Sequence, residues 1–197
     1  MISYRKIRHF KKDHIPSSDL IRSLITDSFN SVPSKQNLIA YKIHVFGPDH
    51  LKEKSQLYSS TVNKAGGQTN SRGNIQLFAP YILLFTGRLV DRPNPNVLSL
   101  ISEGHRFMEC DVNMYKENVR IPCIEIGMFC NILASKCFEK DIDIGFTGCL
   151  PNNISQYIDD INENIYLAMS IGYANNTKYK PNRKEIRPNI DEVINWY

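Results

Sequence analysis

Apolar side chains recur along this chain in two periods, one typical of helices and one typical of strands. Residues 18–30 carry them at the three- and four-residue spacing of a helix, and Ser17 or Ser18 can cap its first turn. The longest segment with helical spacing is 121–139, and 49–63 predicts a weaker, more polar helix. The apolar face of the first helix consists of Leu20, Ile21, Leu24, Ile25 and Phe29.

Four shorter segments have the pattern of strands. They are 41–46, 79–86, 143–147 and 165–173. The first alternates between apolar and polar side chains, whereas 79–86 is continuously apolar, as is typical of a strand at the centre of a sheet. A further helix is predicted over 97–108. Strands separated by helices predict a single α+β domain, residues 1–197, with helices around a central sheet.

The composition is that of an ordinary globular chain with a mild excess of positive charge. It has 197 residues, 42% of them hydrophobic, and its net charge of +4 is well short of a nucleic-acid-binding signature. The longest apolar run, 79–85, is far below the roughly 20 residues that cross a bilayer, and residues 1–5 lack the apolar stretch of a signal peptide. We therefore expect a cytoplasmic protein that binds neither a membrane nor nucleic acid.

The cysteines do not indicate a metal site. There are five, without a Cys-x-x-Cys pair, which favours neither a disulfide framework nor zinc. Cys123, Cys130 and Cys137 recur every seven residues along the helix predicted over 121–139. Successive members are two helical turns apart, too far to share one metal ion. We interpret them as small buried side chains in a packed helix.

The chain contains no recognisable hydrolytic or nucleotide-binding motif. It has no Gly-x-Ser-x-Gly elbow, Walker loop, His-Glu-x-x-His or Gly-x-Gly-x-x-Gly, and its five histidines are dispersed. We expect no catalytic acid or base and no metal ligand from the protein. Such a chain suits an enzyme whose cofactor performs the chemistry while the protein binds and orients it.

Basic residues cluster at the two ends of the chain. Arg5 and Arg8 lie at one end, and Lys180 and Arg183 at the other. Arginine grips phosphate through two parallel hydrogen bonds, so these residues form a phosphate clamp if the ends meet. The alternative is that they are solvated surface charges.

Two interior segments offer hydrogen bonds to a flat, polar ligand. The Pro-Ser-Lys-Gln-Asn segment at 33–37 supplies a hydroxyl and amides, and the Gly-Phe-Thr-Gly segment at 145–148 supplies backbone N–H groups that glycine allows to come close. The alternatives are a plain helix-to-strand turn at 33–37 and a simple tight turn at 145–148.

In their order along nearly the whole chain, these segments resemble the nitroreductase family. The resemblance implies a central, mainly antiparallel sheet flanked by helices in an intertwined homodimer, with FMN sites built from both subunits. It also implies NADH or NADPH as the hydride donor. A small-molecule acceptor is implied as well, such as a nitroaromatic, a quinone or a free flavin.

The resemblance assigns cofactor binding to a set of residues from all these segments. They are Arg5, Lys6, Arg8, Pro33, Ser34, Lys35, Asn37, Asn70, Thr147, Gly148, Lys180 and Arg183. In this assignment the basic residues near the two ends contact the phosphate, and the residues between 33 and 37 come from the partner subunit. Thr147 and Gly148 present backbone N–H groups to the flavin ring, and Asn70 is a further candidate ring contact.

The chain departs from the family pattern at several positions. Lys6 stands where the family usually has serine, and Ile39-Ala40-Tyr41 stands where Gln-Pro-Trp is usual. Thr147 occupies a position that is acidic in some members. FMN binding survives these changes better than any choice of acceptor.

Two other functions are compatible with the sequence. One is a flavin-binding protein of the same fold that sequesters or degrades flavin rather than acting as a general reductase. The other is a small basic protein that binds nucleic acid through its charged ends, which predicts strongly salt-dependent binding and no yellow colour.

Overall fold

The fold is described from a computed structural model of the chain. The residues it describes are 7–34, 39, 41–62, 73–87, 120–148, 150, 158, 161, 163–175 and 193–194. The helix predicted over 97–108 lies outside this part of the chain.

Four strands form one sheet. They are β1 Tyr41–Phe46, β2 Tyr81–Gly87, β3 Asp143–Thr147 and β4 Ile165–Gly172. Their order is β1-β2-β4-β3, and every neighbouring pair is antiparallel. The four predicted strands and the antiparallel sheet are therefore confirmed, with bounds that differ from the predictions by no more than two residues.

The apolar run of β2 is explained by burial on both faces of the sheet. Its first six residues are all buried. Leu83 and Phe85 point into the core on one face, whereas Ile82 and Leu84 point into a second core on the other. A strand with two buried faces cannot alternate with polar residues, which is why its sequence is continuously apolar.

Within the described residues, three α-helices flank the sheet. They are α1 Ser18–Phe29, α2 Leu51–Val62 and α3 Arg120–Phe138. The predicted cap of α1 is confirmed, because the Ser17 hydroxyl accepts a hydrogen bond of 3.3 Å from the Leu20 N–H. Helices α1 and α3 pack together on the first face of the sheet. Helix α2, a 3₁₀ helix over Ile75–Phe78 and the N-terminal segment cover the second face.

Helix α3 carries the cysteine series. Cys130 and Cys137 are buried, and burial raises the pKa of each thiol to about 12, so both are inert packing residues as interpreted from the sequence. The interpretation is wrong for Cys123, which is exposed because it lies on the outer side of the helix. Within the described residues, no group of His, Cys, Asp or Glu side chains could hold a metal ion.

One segment of α3 is long and apolar enough to cross a membrane by length and composition alone. It is Ile121–Phe138, with a mean hydropathy of 1.4, and 44% of it is buried inside the fold. Its buried residues, among them Phe129 and Leu133, pack on the sheet, as in the core helix of a globular protein.

Candidate functional site

The N-terminal segment lies against the chain that follows β4. The Lys11 N–H donates to the Tyr173 carbonyl at 2.8 Å, and the Asn175 N–H donates to the His9 carbonyl at 2.9 Å. Phe10 and Ala174 form an antiparallel bridge between these two bonds. The segment that contains Arg8 is thus held beside residues that lead directly into the C-terminal basic stretch.

The same segment crosses β3 at Gly145. A Cβ atom on Gly145 would lie 2.7 Å from the Ile7 carbonyl oxygen and 2.8 Å from Nε2 of Gln76. Only glycine fits under this crossing, because real Cβ atoms essentially never come so close to other atoms. The close backbone approach expected at this glycine is therefore made by the protein's own chain.

Gly148, three residues later, has the opposite surroundings. It is exposed, and a Cβ atom on it would meet no heavy atom of the described residues within 4 Å. Packing therefore requires a glycine at position 145 within β3, whereas Gly148, just after the strand, has no close neighbour among the described residues. Among the described residues, none blocks the approach of a flat ligand to the backbone at Gly148.

Thr147, which lies between Gly145 and Gly148, is held by an asparagine that was not recognised from the sequence. Its hydroxyl accepts a hydrogen bond of 2.6 Å from Nδ2 of Asn74. Asn74 also caps the 3₁₀ helix, because its Oδ1 accepts the Gln76 N–H at 3.1 Å. The signal for it was an asparagine directly before a short apolar turn, which is a capping position. The predicted Asn70 lies outside the described residues.

Gln76 is the second residue that was missed. It is buried, and its side-chain amide donates to the Ile7 carbonyl, while its main-chain carbonyl accepts from the Ser170 hydroxyl at 2.9 Å. A glutamine between apolar neighbours was its sole sequence signal. Asn74 and Gln76 thus fix the N-terminal segment and the end of β3 from one short helix.

Ser34 belongs to a different cluster, on the other side of the sheet. Its hydroxyl donates to Oε1 of Glu125 in α3 at 2.8 Å and accepts the Ile39 N–H at 2.9 Å. Ile39 has a φ of 48°, a left-handed conformation that β-branched residues rarely adopt. Pro33, next to Ser34, is exposed. The Ser34 hydroxyl therefore donates its hydrogen bond to a residue of its own chain.

Glu125 also affects Tyr41, at the start of β1. The Tyr41 hydroxyl is buried and has no hydrogen-bond partner among the described residues. Burial first, and the nearby Glu125 charge second, raise the pKa of Tyr41 to about 12. The phenol is thus neutral at physiological pH.

The predicted site residues fall into two groups that one chain does not bring together. Arg8, Thr147 and Gly148 belong to the second face of the sheet, where Ile7 and the 3₁₀ helix pack. Pro33 and Ser34 lie beside α3 on the first face. The others lie outside the described residues: Arg5, Lys6, Lys35, Asn37, Asn70, Lys180 and Arg183.

Comparison with known proteins identifies the fold. No family model and no curated protein matches the sequence. Among solved structures, a protein from Staphylococcus epidermidis described as an NAD(P)H:FMN oxidoreductase has a TM-score of 0.70 at 17% identity, over 99% of this chain and 92% of its own. A protein from Exiguobacterium sibiricum described as a nitroreductase, in complex with FMN, has a TM-score of 0.70 at 13% identity, over 100% and 98%.

A nitroreductase-like protein from Streptococcus mutans has a TM-score of 0.68 at 14% identity, over 98% of this chain and 94% of its own. At these identities the likeness concerns the fold, and it extends over nearly the full length of each protein. The resemblance expected from the sequence is thus confirmed, and the chain has the nitroreductase fold.

Proposed function

We propose that this protein is an FMN-dependent oxidoreductase. In this proposal, hydride passes from NADH or NADPH through the bound flavin to a small-molecule acceptor such as a nitroaromatic, a quinone or a flavin. The observation that carries it is the placement of the Arg8 segment across β3, directly before Gly148, which no atom of the described residues crowds. The solved structure of the same fold in complex with FMN supports the same cofactor.

The residues of this chain fit the two ends of such a ligand. Arg8 is exposed and can donate two hydrogen bonds to a phosphate, with Arg5, Lys6, Lys180 and Arg183 proposed to add charge. When bound, FMN supplies the capacity to accept and donate hydride, so the chain itself needs no acid or base.

At the other end of the ligand, backbone N–H groups of Thr147 and Gly148 are proposed to face the flavin ring. Thr147 is buried and its hydroxyl is fixed by Asn74, so this turn is preorganised before any ligand binds. The protein's part is therefore to bind and orient the reactants.

We propose further that the site is completed by a second copy of the chain. The cluster at Pro33 and Ser34 lies on the opposite face of the sheet from Thr147, so the sheet separates these two residues from the same chain's Arg8 group. A homodimer in which Pro33, Ser34, Lys35 and Asn37 face the partner's flavin resolves this separation. It also covers Ile124, which is 51% exposed on the outer side of α3.

An absorption spectrum of the freshly purified protein tests the proposal, repeated without oxygen after addition of NADH and then NADPH. We expect a flavin spectrum that bleaches with one or both nucleotides and recovers when a quinone or nitroaromatic is added. A flavin spectrum that never bleaches would support the alternative of a flavin-sequestering protein. Absence of flavin, even after incubation with excess FMN, would exclude both functions and direct attention to another ligand for the basic ends.

A further inference from the structure

The 3₁₀ helix Ile75–Phe78 and its cap join the two segments that the proposed site takes from one chain. The Asn74 side chain donates to Thr147, at the end of β3. Gln76, two residues later, donates to the carbonyl of Ile7, the residue before Arg8. Because Asn74 also accepts the Gln76 N–H, one continuous chain of hydrogen bonds runs from Ile7 to Thr147.

Gln76 is itself rigidly held within this chain of bonds. It is only 5% exposed, and the Ser170 hydroxyl of β4 donates to its main-chain carbonyl at 2.9 Å. The Gln76 amide and the Ile7 carbonyl both pack directly against Gly145, since even a Cβ atom there would collide with both groups. The Gln76 side chain therefore holds the Ile7 carbonyl on one side of Arg8, while the Asn175 N–H holds the His9 carbonyl on the other.

We propose that Gln76 is a positioning residue for the phosphate end of the cofactor site, acting through the Ile7 carbonyl on Arg8. The inference rests on the proposed function, because it takes the Arg8 guanidinium as a phosphate ligand. A guanidinium grips phosphate through two bonds only when its backbone is correctly placed, and supporting residues set that placement.

A positioning role differs measurably from a general contribution to stability. Riboflavin has the ring and the ribityl chain of FMN but no phosphate. Loss of a residue that acts through Arg8 weakens the binding of FMN and leaves riboflavin almost unchanged. Loss of a residue that only stabilises the fold changes the binding of both ligands by the same factor.

The test is titration of the full-length protein with FMN and with riboflavin. Gln76→Met keeps the size of the side chain and removes its side-chain N–H donor, whereas the backbone N–H that donates to Asn74 remains. We expect it to weaken FMN binding about tenfold and riboflavin binding less than about twofold. Arg8→Ala should show the same selectivity, and the double variant should bind FMN no more weakly than Arg8→Ala alone, because both act on one contact.

Tyr81→Phe is the matched control. It removes another buried hydrogen bond from a side chain to the N-terminal segment, since the Tyr81 hydroxyl donates to the Pro16 carbonyl at 3.0 Å. We expect it to leave the ratio of the two affinities unchanged. If Gln76→Met does not fold, Ser170→Ala replaces it, because it loosens Gln76 while leaving its amide in place, and the FMN preference should fall about threefold.

Equal weakening of both ligands by Gln76→Met, or a further loss of FMN affinity in the double variant, would overturn the inference while leaving the proposed function intact. If the wild-type protein binds neither flavin, the proposed function fails and the inference fails with it.

Discussion

The hydroxyl of Ser34 donates a hydrogen bond of 2.8 Å to the carboxylate of Glu125, which lies 91 positions later in the chain. Glu125 is only 3% exposed, and the same hydroxyl accepts the Ile39 N–H. The left-handed backbone at Ile39 is a strained conformation that persists only when its surroundings over-determine it. The Ser34–Glu125 hydrogen bond helps to hold Ile39 in this conformation, because it fixes the hydroxyl that accepts the Ile39 N–H.

Removing the acceptor of this bond should destabilise the protein. Glu125→Leu leaves the Ser34 hydroxyl without its partner and should lower the free energy of unfolding by about 1–3 kcal/mol. Glu125→Gln keeps an acceptor oxygen and should lose less. Urea unfolding measures both, with Asp27→Asn as the control, because Asp27 accepts from Ser23 on an exposed helix face at 3.5 Å. Equal losses in the two Glu125 variants would mean that the charge, not the hydrogen bond, matters.

Gly145 in β3 and Gly148 just after it should respond oppositely to substitution by alanine. Gly145→Ala places a methyl group against the Ile7 carbonyl and should lower the free energy of unfolding by about 1–3 kcal/mol through overpacking. At Gly148 an added methyl group meets no described residue within 4 Å, so Gly148→Ala should change the free energy of unfolding by less than about 0.5 kcal/mol. It should nevertheless weaken FMN binding, because the methyl group enters the proposed ring contact. Thermal unfolding and FMN titration separate the two effects. A stable Gly145→Ala protein would contradict the close crossing.

Loss of two phosphate ligands should abolish most FMN affinity. In the variant Arg8→Ala with Arg183→Ala, the phosphate is left under-neutralised, and the purified protein should contain little flavin per chain by absorbance. Lys11→Ala with Lys12→Ala removes the same charge from the neighbouring exposed lysines and is the control. Full flavin occupancy in the arginine variant would disprove the clamp.

Lys54 provides a prediction about pH. Its side chain is 1% exposed, and its Nζ donates to the carbonyls of Ala79 and Pro80 at 2.9 and 2.7 Å. Burial lowers the pKa of this amine from 10.5 to about 8, with Asp49 opposing the shift. The neutral amine keeps two N–H groups, enough for both carbonyls.

The unfolded chain therefore binds more protons at Lys54 than the folded chain between pH about 8 and 10.5. Its contribution to stability should rise with pH across this window. The measurement is the free energy of unfolding of wild type minus that of Lys54→Met on either side of the window, since other titrations cancel in the difference. We expect this difference to grow with pH, and a difference that falls would show that Lys54 stays charged when buried.

Local patterns predicted the elements, whereas long-range contacts of the site escaped prediction. The Ser17 cap and the apolar run of β2 depend on neighbouring residues, so periodicity and capping rules were sufficient for both. Glu125 and Gln76 act through partners 91 and 69 positions away, and no local pattern marks such pairs. Asn74 could have been recognised as a cap, but its contact with Thr147 depends on how the sheet is assembled.

The place of β4 in the sheet has a consequence for biosynthesis. Of the described strands it leaves the ribosome last, yet it pairs with both β2 and β3. Until Ile165–Gly172 has emerged, β3 has no partner among these strands and one edge of β2 stays open to other chains. Because the proposed site uses the end of β3 and a segment held by residues 173–175, it forms only when most of the chain is available. Flavin loading is therefore expected to follow translation, and a slow step at the end of synthesis would leave an apolar, aggregation-prone nascent chain.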